Sequence, residues 1–187
     1  MTDTLDGLLA RLKRLHPMMI DLSLGRLQAL LAKLGHPERR LPQVIHIAGT
    51  NGKGSTTAYL KAMHEAAGKR VHVYTSPHLV RFNERIAVPG RDGIARPIAE
   101  DLLAQYLERV EHVNAGDAIT FFEVTTAAAF LAFAEIAADA TILEVGLGGD
   151  FDATNVIRSL APLTLAVSPE DGGKGTGTGI GTDAQRK

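Results

Sequence analysis

The chain has no cysteine among its 187 residues. A disulfide framework and a thiolate metal site are therefore both excluded, and the absence of disulfides suits a reducing cytoplasm. It also lacks an excess of either charge: 20 basic and 21 acidic residues leave a net charge of −1. No global field draws it to nucleic acid or to an anionic membrane, so any anion site must be local. Long apolar runs are missing too. The most apolar stretch, residues 125–138, is too short and too rich in alanine to span a bilayer. The N-terminus is acidic, without the basic region and apolar core of a signal peptide. These features predict a soluble protein, long enough for one α/β domain with a real core and cramped for two.

The rest of the chain is organised around residues 44–56. Val44, Ile45, His46, Ile47 and Ala48 read as a buried strand, and residues 58–63 after the loop read as an amphipathic helix. Between them run Gly49, Thr50, Asn51, Gly52, Lys53, Gly54 and Ser55. Glycines let the backbone turn its N–H groups inward, a helix start adds unpaired donors and positive dipole, and Lys53 adds a point charge. The natural guest is a polyphosphate. In the G-x-x-x-x-G-K-[ST] pattern the first glycine falls on Ile47 and the hydroxyl on Gly54, so this is a variant with its hydroxyl displaced to Ser55. The plain alternative is a glycine-rich turn without a ligand, which would need neither Asn51 nor Lys53 between glycines.

Before this loop, Thr4 can cap a helix with Leu5, Leu8, Leu9, Leu12 and Leu15 on one face, ended by Pro17. A second helix over residues 24–34 stops at Gly35. After the loop, residues 71–74 read as a strand completing a βαβ unit with parallel strands, so the polar segment of residues 75–85 is expected to begin beside the phosphate loop. Residues 86–88 suit a short edge strand, and Pro97 suits the first turn of a helix reaching about His112. Residues 121–137 read as an almost wholly apolar helix over one face of the sheet, with Phe130 and Phe133 in the core. Residues 141–145 form a buried strand carrying Glu144 at its carboxyl end, where phosphate-loop proteins hold a metal-ligating acid. The alternative is a strand-end glutamate paired with a nearby base. A dinucleotide fingerprint fails there, because its third glycine falls on Phe151. Residues 162–167 read as a further parallel strand. From Ser168 onward glycine recurs without apolar period, as in a disordered tail.

Four segments together resemble the bifunctional dihydrofolate synthase/folylpolyglutamate synthase family, which belongs with the Mur ligases. They are residues 49–55, residues 75–79 with 81–85, residues 120–123, and residues 143–149 followed by Asp152, Ala153, Thr154 and Asn155. The resemblance runs in unbroken order over about residues 4–167. It implies a mostly parallel phosphate-loop α/β sheet with helices on both faces, like the central ATPase domain of Mur ligases. It also implies an ATP- and Mg2+-dependent ligase joining glutamate to dihydropteroate or a folate through an acyl phosphate. By position, residues 49–55 would bind ATP with Lys53 catalytic. Ser76 and Glu144 would be the magnesium ligands. Met19, Ile20, Asp21, Leu22, Thr120, Phe122 and Asp152 would lie along the acceptor site. Small molecules are the implied partners, in a cytoplasmic protein that is monomeric when complete.

Two departures matter. Asp150 stands where the family carries arginine after Leu-Gly-Gly. After Val167 the family continues with Ser-x-x-x-Asp-His and Glu-Lys-Ala-Gly segments that residues 168–187 do not contain. The expectation is a ligase portion over residues 1–167 and an unrelated tail produced by truncation or a frame shift. An inactive nucleotide-binding fragment is then the alternative function, and a Mur-type ligase with another acceptor is a third.

Overall fold

The computed structural model describes residues 4–15, 24–146, 152–160 and 162–167. Residues 16–23, which include Pro17 and the acceptor-site candidates Met19 to Leu22, residues 147–151 with Asp150, and the tail from Ser168 lie outside the described residues.

The N-terminal helix α1 spans Leu5–Leu15, and the hydroxyl of Thr4 accepts from the Gly7 N–H at 3.3 Å, as its capping role requires. Helix α2 covers Gly25–Lys33 and ends where Gly35 takes a φ of +76°. Strand β1 runs Gln43–Gly49, α3 Lys53–Ala66 and β2 Val71–Tyr74. A hairpin follows, β3 at Ile86–Pro89 and β4 at Ala95–Pro97. Helices α4, Glu100–Asn114, and α5, Phe121–Glu135, precede β5, Ala140–Glu144. A 3₁₀ segment at Ala153–Leu160 leads to β6, Leu163–Val167.

The sheet order is β4-β3-β2-β5-β1-β6, with β2, β5, β1 and β6 parallel and the β3 and β4 pairings antiparallel. Three sequence expectations are corrected by this order. β1 and β2 are not neighbours, because β5 inserts between them. The segment after β2 therefore starts beside the end of β5, with Glu144 between it and the glycine-rich loop. β3 is not the edge, since β4 pairs outside it. Pro97 ends β4 rather than opening a helix; on an outer strand its missing N–H costs no ladder bond, and α4 instead starts at Glu100 with Glu100 and Asp101 in its first turn.

Side-chain alternation divides the strands between two cores. Val44, Tyr74 and Leu143 join the larger core with α1, α2, α4 and α5. Ile45, Ile47, Val73 and Ile142 face the other side, where Leu60 of α3 packs. Helix α5 is buried around nearly its whole circumference, including Phe130 and Phe133, because α2 and α4 pack over the face turned from the sheet. On the outer face of α3, Tyr59 and Met63 are exposed. Among the described residues no helix is long and apolar enough to cross a membrane.

Candidate functional site

Parallel strands place their carboxyl ends on one edge of the sheet, and β1, β5 and β2 deliver three loops there. β1 ends at Gly49, whose φ of +145° excludes ordinary side chains. A Cβ on Gly49 would also collide with the carbonyl of Val167 in β6, and one on Gly52 would lie 3.2 Å from the Val167 side chain. The glycines are thus required where the chain leaves β1 alongside the end of β6. Gly52 caps α3 with a φ of +76°, and Lys53 is the first helical residue. Thr50, Asn51, Gly54 and Ser55 are exposed around it. The ammonium of Lys53 donates to the Gly49 carbonyl at 2.8 Å. Main-chain donors at the start of a 14-residue helix, beside a lysine, suit a phosphate chain.

In the adjacent strand, Glu144 is in register with Ile47, and Val145 N–H donates to the Ile47 carbonyl at 2.9 Å. Glu144 is 6% exposed. Burial pushes its carboxyl above the usual glutamate range, against the opposing effects of the Lys53 charge and the Ser76 main-chain N–H. A Cβ on Gly54 would lie 3.9 Å from its Oε1, so the helix start and the acid are neighbours.

Ser76 begins the loop after β2. That loop is drawn together by Glu84, whose carboxylate accepts from the N–H groups of Arg81 at 2.9 Å, Leu79 at 2.8 Å and Val80 at 3.3 Å. Those donors hold the Glu84 carboxyl below its ordinary range.

Gly146 is where the remaining residues meet. A Cβ there would stand 2.9 Å from Ser76 Oγ, 3.1 Å from Asp152 Oδ2 and 3.2 Å from Phe122 Cζ. Asp152, 1% exposed, accepts from the Gly146 N–H at 2.9 Å and the Thr154 N–H at 3.0 Å. Phe122 is half-buried in the first turn of α5. Thr120 is the buried cap of that helix. Its hydroxyl accepts from Glu123 N–H at 3.2 Å, and the Glu123 carboxylate accepts from Thr120 N–H at 2.7 Å. Met19, Ile20, Asp21 and Leu22 lie outside the described residues.

Thus Lys53, Glu144, Ser76, Phe122 and Asp152 are brought to one edge of the sheet. The donor chemistry fits a small divalent cation: Ser76 and Glu144 supply hard oxygens. Among the described residues no group of three or more His, Cys, Asp or Glu is placed to hold a metal. A cation here would take its remaining ligands from phosphate oxygens and water, as magnesium ordinarily does. The sequence reading missed Gly146 as the meeting point and Glu84 as the loop's anchor. For Gly146 the available signal was its place two residues beyond Glu144, at a strand end that must let three side chains approach.

A separate cavity of about 560 Å³ lies between α1 and the other side of the Ser76 loop, where Leu9, Lys13, His78, Arg81 and Phe82 line it. Its charges are mixed, and Arg81 pairs with Glu100 at 3.6 Å. Neither Lys53 nor Glu144 reaches it.

No family model matches the chain. Among curated proteins it is 42% identical over 151 residues to the dihydrofolate synthase/folylpolyglutamate synthase of Bacillus subtilis, covering 77% of this chain and 34% of that protein. The Escherichia coli protein of the same name is 40% identical over 160 residues, covering 86% and 36%. The fold matches Escherichia coli FolC solved in complex with DHPP and ADP, with a TM-score of 0.76 and 38% identity over 89% of this chain and 38% of that one. A bifunctional folylpolyglutamate synthase/dihydrofolate synthase with Mn, AMPPNP and L-glutamate bound gives a TM-score of 0.74 at 37% identity, covering 83% and 36%. The chain spans about a third of the length of these relatives.

Proposed function

From the premise that the chain belongs to the dihydrofolate synthase/folylpolyglutamate synthase family, we propose that it carries the nucleotide and acceptor side of an ATP-dependent ligase. That ligase joins the amine of L-glutamate to the carboxylate of dihydropteroate or a folate, with ATP cleaved to ADP and phosphate. The observation that carries this reading is the convergence of Ser76, Asp152 and Phe122 on Gly146, two residues beyond Glu144 and its neighbour Lys53. A phosphate site and a site for a flat acceptor then share one strand end.

In this reading the main chain of residues 49–55 and the Lys53 ammonium hold the phosphate chain and offset charge developing on it. Ser76 Oγ and the Glu144 carboxylate would hold Mg2+, which supplies charge neutralisation at the phosphates. Phe122 offers an aromatic face to a pterin ring, and Asp152 a carboxylate to its N–H groups. Thr120 sets the start of α5, and so the place of Phe122, from behind.

The relatives with bound nucleotide are about three times as long as the matched stretch, which favours a second reading: a nucleotide-binding portion that does not turn over alone. One assay separates the two. Purified chain is given ATP, magnesium, dihydropteroate and labelled glutamate, with Lys53→Ala as the control. Labelled product that depends on Lys53 supports the ligase reading for these residues. Nucleotide binding without product leaves the second, and absence of both would refute the site.

A further inference from the structure

Asp152 is not anchored by its own loop alone. Its Oδ1 accepts from the Thr154 hydroxyl at 2.5 Å, and the same hydroxyl lies 2.8 Å from Nε2 of His46. All three are nearly inaccessible to solvent. Donor counting fixes the direction of the chain. A carboxylate oxygen accepts only, so the single Thr154 proton points at Asp152, and the hydroxyl can only accept from the histidine. His46 must therefore carry its proton on Nε2. The result is a directed run, His46 Nε2–H to Thr154 Oγ–H to Asp152 Oδ1, in which each bond polarises the next.

The placement of His46 gives this run its meaning. It sits in β1 on the face turned to the larger core, flanked by Ile45 and Ile47, whose side chains face the other way. Three residues later the same strand becomes the phosphate loop at Gly49. An imidazole in an otherwise apolar strand is costly unless hydrogen-bonded, and the partner it finds belongs to the segment bearing Asp152. The other oxygen of Asp152 accepts from Gly146, beside Ser76 and Phe122.

We propose that His46, acting through the Thr154 hydroxyl, is a positioning residue that fixes the plane of the Asp152 carboxylate for the pterin-bearing acceptor. This rests on the reading of Asp152 as an acceptor contact. A flat heterocycle presenting N–H groups along one edge needs a carboxylate of fixed plane; one free to rotate must be ordered at each binding event. Two N–H donors from the two ends of its own loop, Gly146 and Thr154, hold one carboxylate oxygen each, and the hydroxyl run ties that arrangement to β1.

The test is isothermal titration of the full chain with dihydropteroate and, separately, with AMPPNP and magnesium. It uses Thr154→Val, which removes the hydroxyl at nearly constant shape, Thr154→Ser, which keeps it, and Asp152→Asn. Thr154→Val is expected to weaken dihydropteroate at least tenfold while AMPPNP stays within twofold, and Thr154→Ser to restore the acceptor. Wild-type acceptor affinity in Thr154→Val, with Asp152→Asn still weakened, overturns the relay and leaves Asp152 as a contact. Unchanged affinity in Asp152→Asn, or no acceptor binding by the unsubstituted chain, overturns the reading of the site and the proposal with it. Should Thr154→Val not fold, nitrogen NMR of the His46 ring decides. The proposal requires the Nε2–H tautomer and a shift of that resonance in Asp152→Asn; the Nδ1–H tautomer or an unmoved resonance refutes it.

Discussion

Lys53 Nζ donates to the carbonyl of Gly49 at 2.8 Å, so the ammonium is held across the glycine-rich loop at the junction of β1 and α3. The contact is solvent-exposed and contributes little to folding. An incoming phosphate chain offers the same ammonium a charged acceptor, and a charge-assisted hydrogen bond is worth about 1.5–3 kcal/mol. Lys53→Ala should therefore weaken AMPPNP with magnesium by about tenfold or more, while urea unfolding shifts by less than about 0.5 kcal/mol. Retained affinity would remove Lys53 from the site.

Gly146 tests the site from a different direction. No unusual φ is needed there, so the requirement for glycine is one of space. Ser76 Oγ, Asp152 Oδ2 and Phe122 Cζ would all stand within 3.2 Å of an added methyl. Overpacking of this kind typically costs about 1–3 kcal/mol. Gly146→Ala should lower stability by that amount and displace at least one of the three groups, reducing dihydropteroate binding. Gly35→Ala is the control. Its φ of +76° makes it strained too, but nothing lies within 4 Å of its added methyl, so binding should survive. Equal loss of binding in both variants would count against a packed site at Gly146.

The contrast between Lys53 and Gly146 shows what the sequence makes legible. Residues 44–63 announce strand, loop and helix through period and glycine spacing; the strand differs by one residue at each end, whereas α3 already begins at Lys53, five residues before the amphipathic stretch at 58–63. Strand order carries no comparable local signal. Nothing in residues 140–144 says that β5 pairs with both β1 and β2, yet this insertion puts Glu144 between the glycine-rich loop and Ser76. Pro97 misleads for a related reason: it suits a first helical turn and an outer strand equally, and only the hairpin with β3 decides. His46 reads as an irregularity in an apolar strand until Thr154, 108 residues later, is seen beside it. The local pattern of strand, turn and helix could be read from the sequence; the pairing of distant segments needed the fold.

Thr120 separates structural from functional roles. Its hydroxyl and the Glu123 carboxylate cap α5 reciprocally, and Arg26 of α2 reaches Glu123 at 3.4 Å. Loss of such a cap costs about 1 kcal/mol. Thr120→Ala should lower stability by about that much, and Thr120→Ser should recover most of it. If Thr120 acts only by setting Phe122 in place, the serine variant binds dihydropteroate normally. Full stability with weakened binding in Thr120→Ser would assign the threonine methyl a direct contact.

The acid side of the stability profile should carry the imprint of His72. Its ring stacks on Phe133 with centroids 4.5 Å apart, and burial lowers its pKa to about 4, the Ile136 backbone opposing only in part. In the unfolded chain the ring titrates near 6.5. As pH falls below that value the unfolded state gains a proton that the folded state refuses, so stability is complete above pH 6.5 and is lost on the way down to about 4. Across that whole interval the loss is up to about 3 kcal/mol at 1.36 kcal/mol per unit. Replacing His72 with phenylalanine keeps an aromatic ring against Phe133 and removes the titration. Urea unfolding at pH 7 and pH 5 should then show a smaller acid penalty in His72→Phe than in the unsubstituted chain, by about 1–2 kcal/mol. An identical penalty in the two proteins would mean that His72 takes up its proton as readily in the folded state as in the unfolded one, against the effect of its burial.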